Sequence, residues 1–287
     1  MTSAIDWDTA INTRRSTRSY ELRPVEPETM ARLKDFAGRM PVPFEHSVNI
    51  RFFAAKPTRR LYGNTVTPPP DHAAFMVHTD EVSVSKAGFV GEMLILYATS
   101  LGLATCWYGH FSQAELEKLM PHSTEQSATE PPNRPREEGQ PPEERAICIT
   151  PFAYRREDGL RIYDRISSAL MSHRRKALRD LLLDGVTEES LTPDVLYALE
   201  LARKAPSAAN GQYWRFNVSP DCRTVSIAMP VGHRRTMWKH PNLDIGICAC
   251  HFWLGLEMRA VESDVALTEK DGRVVWRFSL KSRHSRG

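Results

Sequence analysis

"MLILYATSLGLATCWYGHF", residues 93–111, decides what kind of protein this is, because it contains no Lys, Arg, Asp or Glu. A membrane span needs about 20 predominantly apolar residues, so the length alone is borderline. Thr99, Ser100, Gly102, Thr105 and Gly109 interrupt the run, and Gly102 reads as a helix stop. The stretch is therefore expected to be a helix buried in a globular core, followed by an irregular segment. "GICACHFWLGLEM", from Gly246, is a second long, mostly apolar stretch.

Composition narrows the class. The chain has 287 residues, 41% hydrophobic and 25% charged, which is ordinary for a soluble globular protein. Its 38 basic residues are offset by 35 acidic ones, and a net charge of +3 gives no field for nucleic acid. Cys106, Cys148, Cys222, Cys248 and Cys250 form no CxxC pair and have no zinc-site spacing, so no metal is expected. The odd cysteine count and the acidic opening "MTSAIDWDTA" give a cytoplasmic location and no membrane partner as the expectation.

The chain also resembles itself. "RRST" at 14–17 is answered by "RRKA" at 174–177, and "PETMARLKDFAGRMP" (27–41) by "PDVLYALELARKAP" (193–206). "IRFFAA" (50–55) is answered by "WRFNVS" (214–219), and "GEMLILYATSLGL" from Gly91 by "GICACHFWLGLEM" from Gly246. The offsets of 160, 165, 164 and 155 occur in the same order along the chain, the mark of an internal duplication. Each half reads as helix, loop, strand, long buried helix, strand. "AICITPFAYR" (146–155) and "RVVWRFSLK" (273–281) are the closing strands. The expected fold class is α+β, with a central antiparallel or mixed sheet and long buried helices. Repeat 1 would span 1–165 and repeat 2 166–287, packed as one compact unit. The proline-rich stretch 121–146 cannot bury itself and is expected as a solvated loop or a mobile lid. "TVTPPPDHA" (65–73) is expected as a shorter loop.

Three stretches carry chemistry. "RRSTR" sets Arg14, Arg15, Ser16 and Arg18 close together, and guanidinium forks with a hydroxyl suit phosphate. "PSAANGQ" offers Ser207, Asn210 and Gln212 on a segment shaped by Pro206 and Gly211, with donors and acceptors for a heterocycle edge or a ribityl chain. "GLATCWYGHF" leaves the buried helix with Trp107, Tyr108, Gly109 and His110, and Gly109 permits close backbone approach. Each also has an ordinary structural reading: a solvated arginine face, a polar turn, a pair of core aromatics.

Taken together, Arg14-Arg15-Ser16, Gly102 to Gly109 and Pro206 to Phe216 resemble the motifs of the nitroreductase family of flavin enzymes, over nearly the whole chain. Ala104 and Tyr213 depart from the family's usual glycine and proline. The resemblance is to the subgroup in which one chain contains both halves of the family's dimer. "MPVPFEHSVNIRF" lacks the Ser, Asn and Gln pattern, and "RRKA" lacks the serine, so one intact site per chain is implied. That site would bind FMN through Arg14, Arg15, Ser16, Arg18, Trp107, Tyr108, Gly109, His110, Pro206, Ser207, Ala208, Asn210 and Gln212. Arg174 and Arg175 are the candidates for holding its phosphate, with the choice between them open. A backbone amide near Gly109 and His110 would approach flavin N5. The implied activity is oxidation of NAD(P)H followed by reduction of a small electron-poor acceptor, a nitroaromatic or a quinone. The lack of a GxGxxG fingerprint agrees with a nicotinamide that stacks on flavin. His110 is a candidate proton donor or a pocket-lining residue. A fused pseudo-dimer is expected as a monomer, with a homodimer as the alternative. Other readings are a reductase or dehydrogenase of one metabolite, a flavin store or sensor, and a structural protein with both sites degenerate.

Overall fold

The computed structural model of the chain describes residues 5–56, 58–63, 66–120, 144–156, 174–183, 185–233 and 238–281. Along it run α1 (Trp7–Thr13), α2 (Pro27–Gly38), β1 (Asn49–Ala54), β2 (Asp71–His78), α3 (Glu81–Ser100), α4 (Gln113–Leu119) and β3 (Glu144–Phe152). They are followed by α5 (Pro193–Ala202), β4 (Arg215–Val218), β5 (Thr224–Ala228), α6 (Pro241–Met258), β6 (Ser263–Lys270) and β7 (Arg273–Leu280). The fold is mixed α+β.

The two apolar stretches are the buried helices α3 and α6. Asp80 opens α3 by accepting a hydrogen bond from Ser83 N at 2.8 Å. Its last residue is Ser100, and Gly102 beyond it takes φ 78°, a left-handed conformation that a side chain resists. The charge-free run thus breaks at Gly102. Among the described residues no helix is long and apolar enough to cross a membrane. α2, α5 and α6 each start on proline, where a missing N–H costs nothing.

α3 and α6 cross at two glycines. A Cβ on Gly88 would collide with the Leu243 carbonyl, and a Cβ on Gly246 with the Ser85 carbonyl. The contact is reciprocal: each glycine receives the backbone of the residue three positions before the other, the geometry of a two-fold interface. Gly91, aligned with Gly246 in the sequence, instead lies under Trp107 and Phe75. The crossing therefore matches Gly246 with Gly88, about one helical turn earlier.

Two antiparallel sheets flank this crossing, β1-β2-β3 and β4-β5-β7-β6. α3 follows β2 and leads to β3, which pairs with β2; α6 follows β5 and leads to β7, which pairs with β5. The order β1-β2-β3 is thus that of β4-β5-β7, with β6 added as an edge strand. Between the sheets and helices Phe75, Phe89, Trp214, Phe252, Trp276 and Phe278 are fully buried. The five cysteines are buried and free.

Two loop expectations need correction. Residues 71–73, read as the end of a proline-rich loop, already belong to β2. Proline cannot donate to a ladder, so the loop stops at Pro70 and pairing starts at Asp71. Residues 144–146, read with the 121–146 loop, start β3; the rest of that loop lies outside the described residues.

Candidate functional site

After α1 the chain is laid beside the segment that follows α3. Ser16 forms a parallel bridge with Thr105, and Thr17 N donates to Thr105 O at 2.9 Å. Arg14 is only 6% exposed. Its Nε lies 3.6 Å from Glu92 Oε1, and its Nη1 donates to Ser16 Oγ at 3.4 Å. Glu92 sits fully buried in the middle of α3. Trp107 Nε1 donates to its Oε2 at 2.7 Å, and His251 Nε2 of α6 lies 2.8 Å from its Oε1. His251 Nδ1 lies 3.2 Å from Leu201 O. A carbonyl can only accept, so Nδ1 carries a hydrogen and one further proton lies between Nε2 and Glu92. A buried carboxylate is tolerable only with such partners.

The second motif is a clamp between two pieces of chain. Arg175 donates to Asn210 Oδ1, and Asn210 Nδ2 donates to Arg174 O at 3.1 Å. Gln212 is 2% exposed. Its Oε1 accepts from Lys176 N at 2.8 Å, and its Nε2 donates to Arg174 O and Asn210 O, each at 3.1 Å. The Gln212 amide is thus taken up by the chain itself. Ala209, Asn210 and Gln212 hold φ of 49°, 55° and 49°. Left-handed backbone costs a non-glycine residue roughly 1–2 kcal/mol, so something must hold the loop. Ser207 Oγ accepts from Gln212 N, and Asp244 Oδ2 of α6 accepts from Ala208 N, both at 3.0 Å. Burial pushes the Asp244 carboxyl up to about 7, only partly offset by the Ala208 N–H.

The two motifs meet at Arg175. Burial, then the charge of Arg14, pushes the Arg175 guanidinium down to about 10; Arg15 and Arg203 repel it further and Glu92 offsets part of this. Guanidinium groups from both ends of the sequence therefore share one region, and Glu92 offsets part of their repulsion on Arg175. Arg174 is exposed and contributes its carbonyl. Pro206 is buried. Arg18 is half-buried and acts on Cys106.

The third motif divides its side chains. The Trp107 ring packs on Phe75 with centroids 4.9 Å apart, and the Tyr108 ring on Tyr62 at 4.2 Å. Tyr108 also pairs through its backbone with Ile149 of β3. Both rings serve the core. Gly109 lies against the Trp238 indole, which any Cβ there would strike. His110 is exposed, its ring 6.1 Å from that of Trp238. Glu92, Asp244, His251 and Trp238 were not singled out from the sequence. For the first three, the signal available was a carboxylate or histidine set among the apolar residues of a long helix.

A family model described as "Putative TM nitroreductase" matches residues 8–256. The chain belongs to the nitroreductase family. The fold of this nitroreductase-family chain is similar to that of a "putative nitroreductase" from Thermotoga maritima, at 19% identity and TM-score 0.61, over 98% of this chain and 96% of that one. A nitroreductase family protein from Clostridium difficile aligns with 62% of this chain and 97% of its own, at 17% identity and TM-score 0.41. A nitroreductase with bound FMN from Bacteroides fragilis aligns with 55% of this chain and 92% of its own, at 16% identity and TM-score 0.38. No curated protein matches the sequence.

Proposed function

We propose that this nitroreductase-family protein is an FMN-dependent oxidoreductase that takes hydride from NAD(P)H and reduces a small electron-poor acceptor, a nitroaromatic or a quinone. The observation that carries the reading is the convergence of Arg14 and Arg15 on Arg175, itself bonded to Asn210, with their repulsion only partly offset by Glu92. Like charges drawn together repel, and an anion among them removes that repulsion. Guanidinium forks suit a phosphate dianion, and Ser16 adds a hydroxyl.

Further features fit a bound flavin. Thr105 Oγ1, next to Ser16 across the bridge, is buried with no hydrogen-bond partner among the described residues. Gly109 leaves room for a flat ring, at present that of Trp238. In this reading Arg14, Arg15, Ser16 and Arg175 hold the phosphate, while Ser207 and Asn210 face the polar chain of the cofactor. Gln212 and Asp244 act one step back, keeping the strained loop in place. Glu92 orients Arg14, with Trp107 and His251 fixing Glu92. When bound, FMN supplies the hydride chemistry, and the protein supplies position and polarity. The backbone N–H groups near Gly109 and His110 are donors toward an electron-rich ring.

The reciprocal glycine crossing and the matching strand orders support two nitroreductase halves in one chain, repeat 1 over 1–165 and repeat 2 over 166–287, working as a monomer. The five free, buried thiols agree with a reducing, cytoplasmic setting. Reconstitution tests the whole reading. Absorbance should give one FMN per chain, and anaerobic NADPH or NADH should bleach it. Asn210→Ala and Ser16→Ala should each weaken FMN retention. Two FMN per chain would break the one-site reading, and bound flavin that never bleaches would favour a store or sensor.

A further inference from the structure

The second arginine pair is followed by lysine where the first is followed by serine, and that lysine belongs to another group of cations. Lys176 Nζ donates to Gly211 O at 3.0 Å and to Gln212 O at 3.1 Å. Arg215 Nη1 donates to Trp214 O at 2.7 Å and reaches the same Gln212 O at 3.5 Å. Two cations thus crowd one carbonyl oxygen. The half-buried Tyr213 ring lies beside them, its centre 5.9 Å from Lys176 Nζ, and the His233 ring packs on it with centroids 4.4 Å apart. His233 Nε2 is buried with no hydrogen-bond partner among the described residues.

This is more positive charge than the turn requires. One cation suffices to cap the two carbonyls, yet Arg215 stands next to Lys176, with the His233 ring beside them. No carboxylate among the described residues forms an ion pair with Lys176 or Arg215; Asp180 acts on Lys176 from farther off. Burial and Arg215 hold Lys176 below its usual range, and burial, Arg215 and Lys176 do the same to His233. Donor capacity remains: one N–H on Lys176, most of the Arg215 fork, and the His233 ring.

We propose that Lys176, Arg215 and His233, gathered round the Tyr213 ring, form a subsite for a phosphomonoester, the 2′-phosphate of NADPH. The assignment rests on the reading of NAD(P)H as co-substrate. A dianion there is neutralised by Lys176 and Arg215, which otherwise repel each other, and the His233 ring adds a hydrogen bond. The flat face of Tyr213 offers the adjoining adenine a stacking surface. The hydroxyl of NADH at the same position brings no charge, so the subsite selects NADPH.

Calorimetry on the full chain tests this without turnover, using adenosine 2′,5′-bisphosphate and adenosine 5′-monophosphate as probes. The bisphosphate should bind about tenfold more tightly or better, about the scale of one charge-assisted contact. His233→Gln should reduce that preference a few-fold, and Lys176→Gln with Arg215→Gln should erase it while 5′-monophosphate affinity stays unchanged. His233 Nε2 has no hydrogen-bond partner among the described residues, so its variant keeps the test open if the double variant fails to fold. Equal affinities in the wild type, or a preference that survives both sets of variants, would overturn the subsite. Inorganic phosphate competing as well as the bisphosphate would make it a general phosphate site and overturn the dinucleotide assignment. A chain that shows the preference but takes up no FMN sinks the flavin reading and leaves the subsite standing; FMN uptake without the preference does the reverse.

Discussion

Each long helix buries one carboxylate, and the two are held in opposite ways. Glu92 of α3 has a cation, an indole N–H and an imidazole around it, and through Arg14 it fixes the first arginine motif. Asp244 of α6 has a backbone N–H from Ala208, and through that bond it fixes the strained loop of the second motif. The difference shows what each half needs. The first half presents a charge, which has to be aimed by an opposite charge. The second presents a shape, which needs only an acceptor, and a protonated carboxyl still offers one.

Removing Glu92 should have the largest effect. Glu92→Ala strands Arg14 in the interior together with the Trp107 and His251 donors. Breaking such a buried pair costs about 3–5 kcal/mol, read as a fall in the urea midpoint. Glu92→Gln should cost less, because its carbonyl still accepts from Trp107. If Glu92→Ala is no worse than Asn210→Ala, whose half-exposed bonds are worth about 1 kcal/mol each, then Glu92 does not anchor the first motif.

Asp244 should reveal itself through pH. Its folded value of about 7 stands against an ordinary 3.8. Between those values the folded chain keeps a proton that the unfolded chain gives up. Its contribution to stability is therefore whole below about pH 4, drains away as pH rises to about 7, and is level above. The span corresponds to at most about 4 kcal/mol. Asp244→Asn keeps an acceptor for Ala208 and has nothing to titrate. The variant should therefore gain on the wild type in melting temperature between pH 5 and pH 8. Parallel curves would show that Asp244 is charged in the folded chain.

The helix crossing supplies a smaller test with a built-in control. Gly88→Ala and Gly246→Ala each push a methyl group into the backbone of the opposite helix. Overpacking of this kind costs about 1–3 kcal/mol. Because the contact is reciprocal, the two losses should agree within about 0.5 kcal/mol in the same urea titration. A large inequality would mean that the halves are not equivalent where they touch.

The sequence displayed the elements better than the links between them. Gly102 as a helix stop, proline at helix starts and alternating runs at 273–281 report local backbone chemistry, and that chemistry decided the outcome. β2 was hidden because Pro68, Pro69 and Pro70 immediately precede it. The site was legible as motifs but not as a network. Glu92 lies just before the charge-free run, and His251 lies among the apolar residues of the other helix. Each becomes meaningful only through a partner brought close by the crossing of α3 and α6. Gln212 was read toward a ligand, whereas its buried amide bonds to the chain, since one residue's pattern cannot show which neighbour reaches it first.

The smallest effect separates the two arginine motifs at their third residue. Lys176→Ser restores in the second motif the residue found in the first, yet it should not create a second flavin site. The serine is too short to reach the Gly211 and Gln212 carbonyls that Lys176 now caps, so the variant should lose about 1 kcal/mol. Flavin stoichiometry should stay at one, because "MPVPFEHSVNIRF" brings no counterpart of Ser207, Asn210 and Gln212 to the other side. A second equivalent of FMN in this variant would mean that a single side chain closes the second site. The asymmetry would then reside in Lys176 alone, rather than in the different work of the two halves.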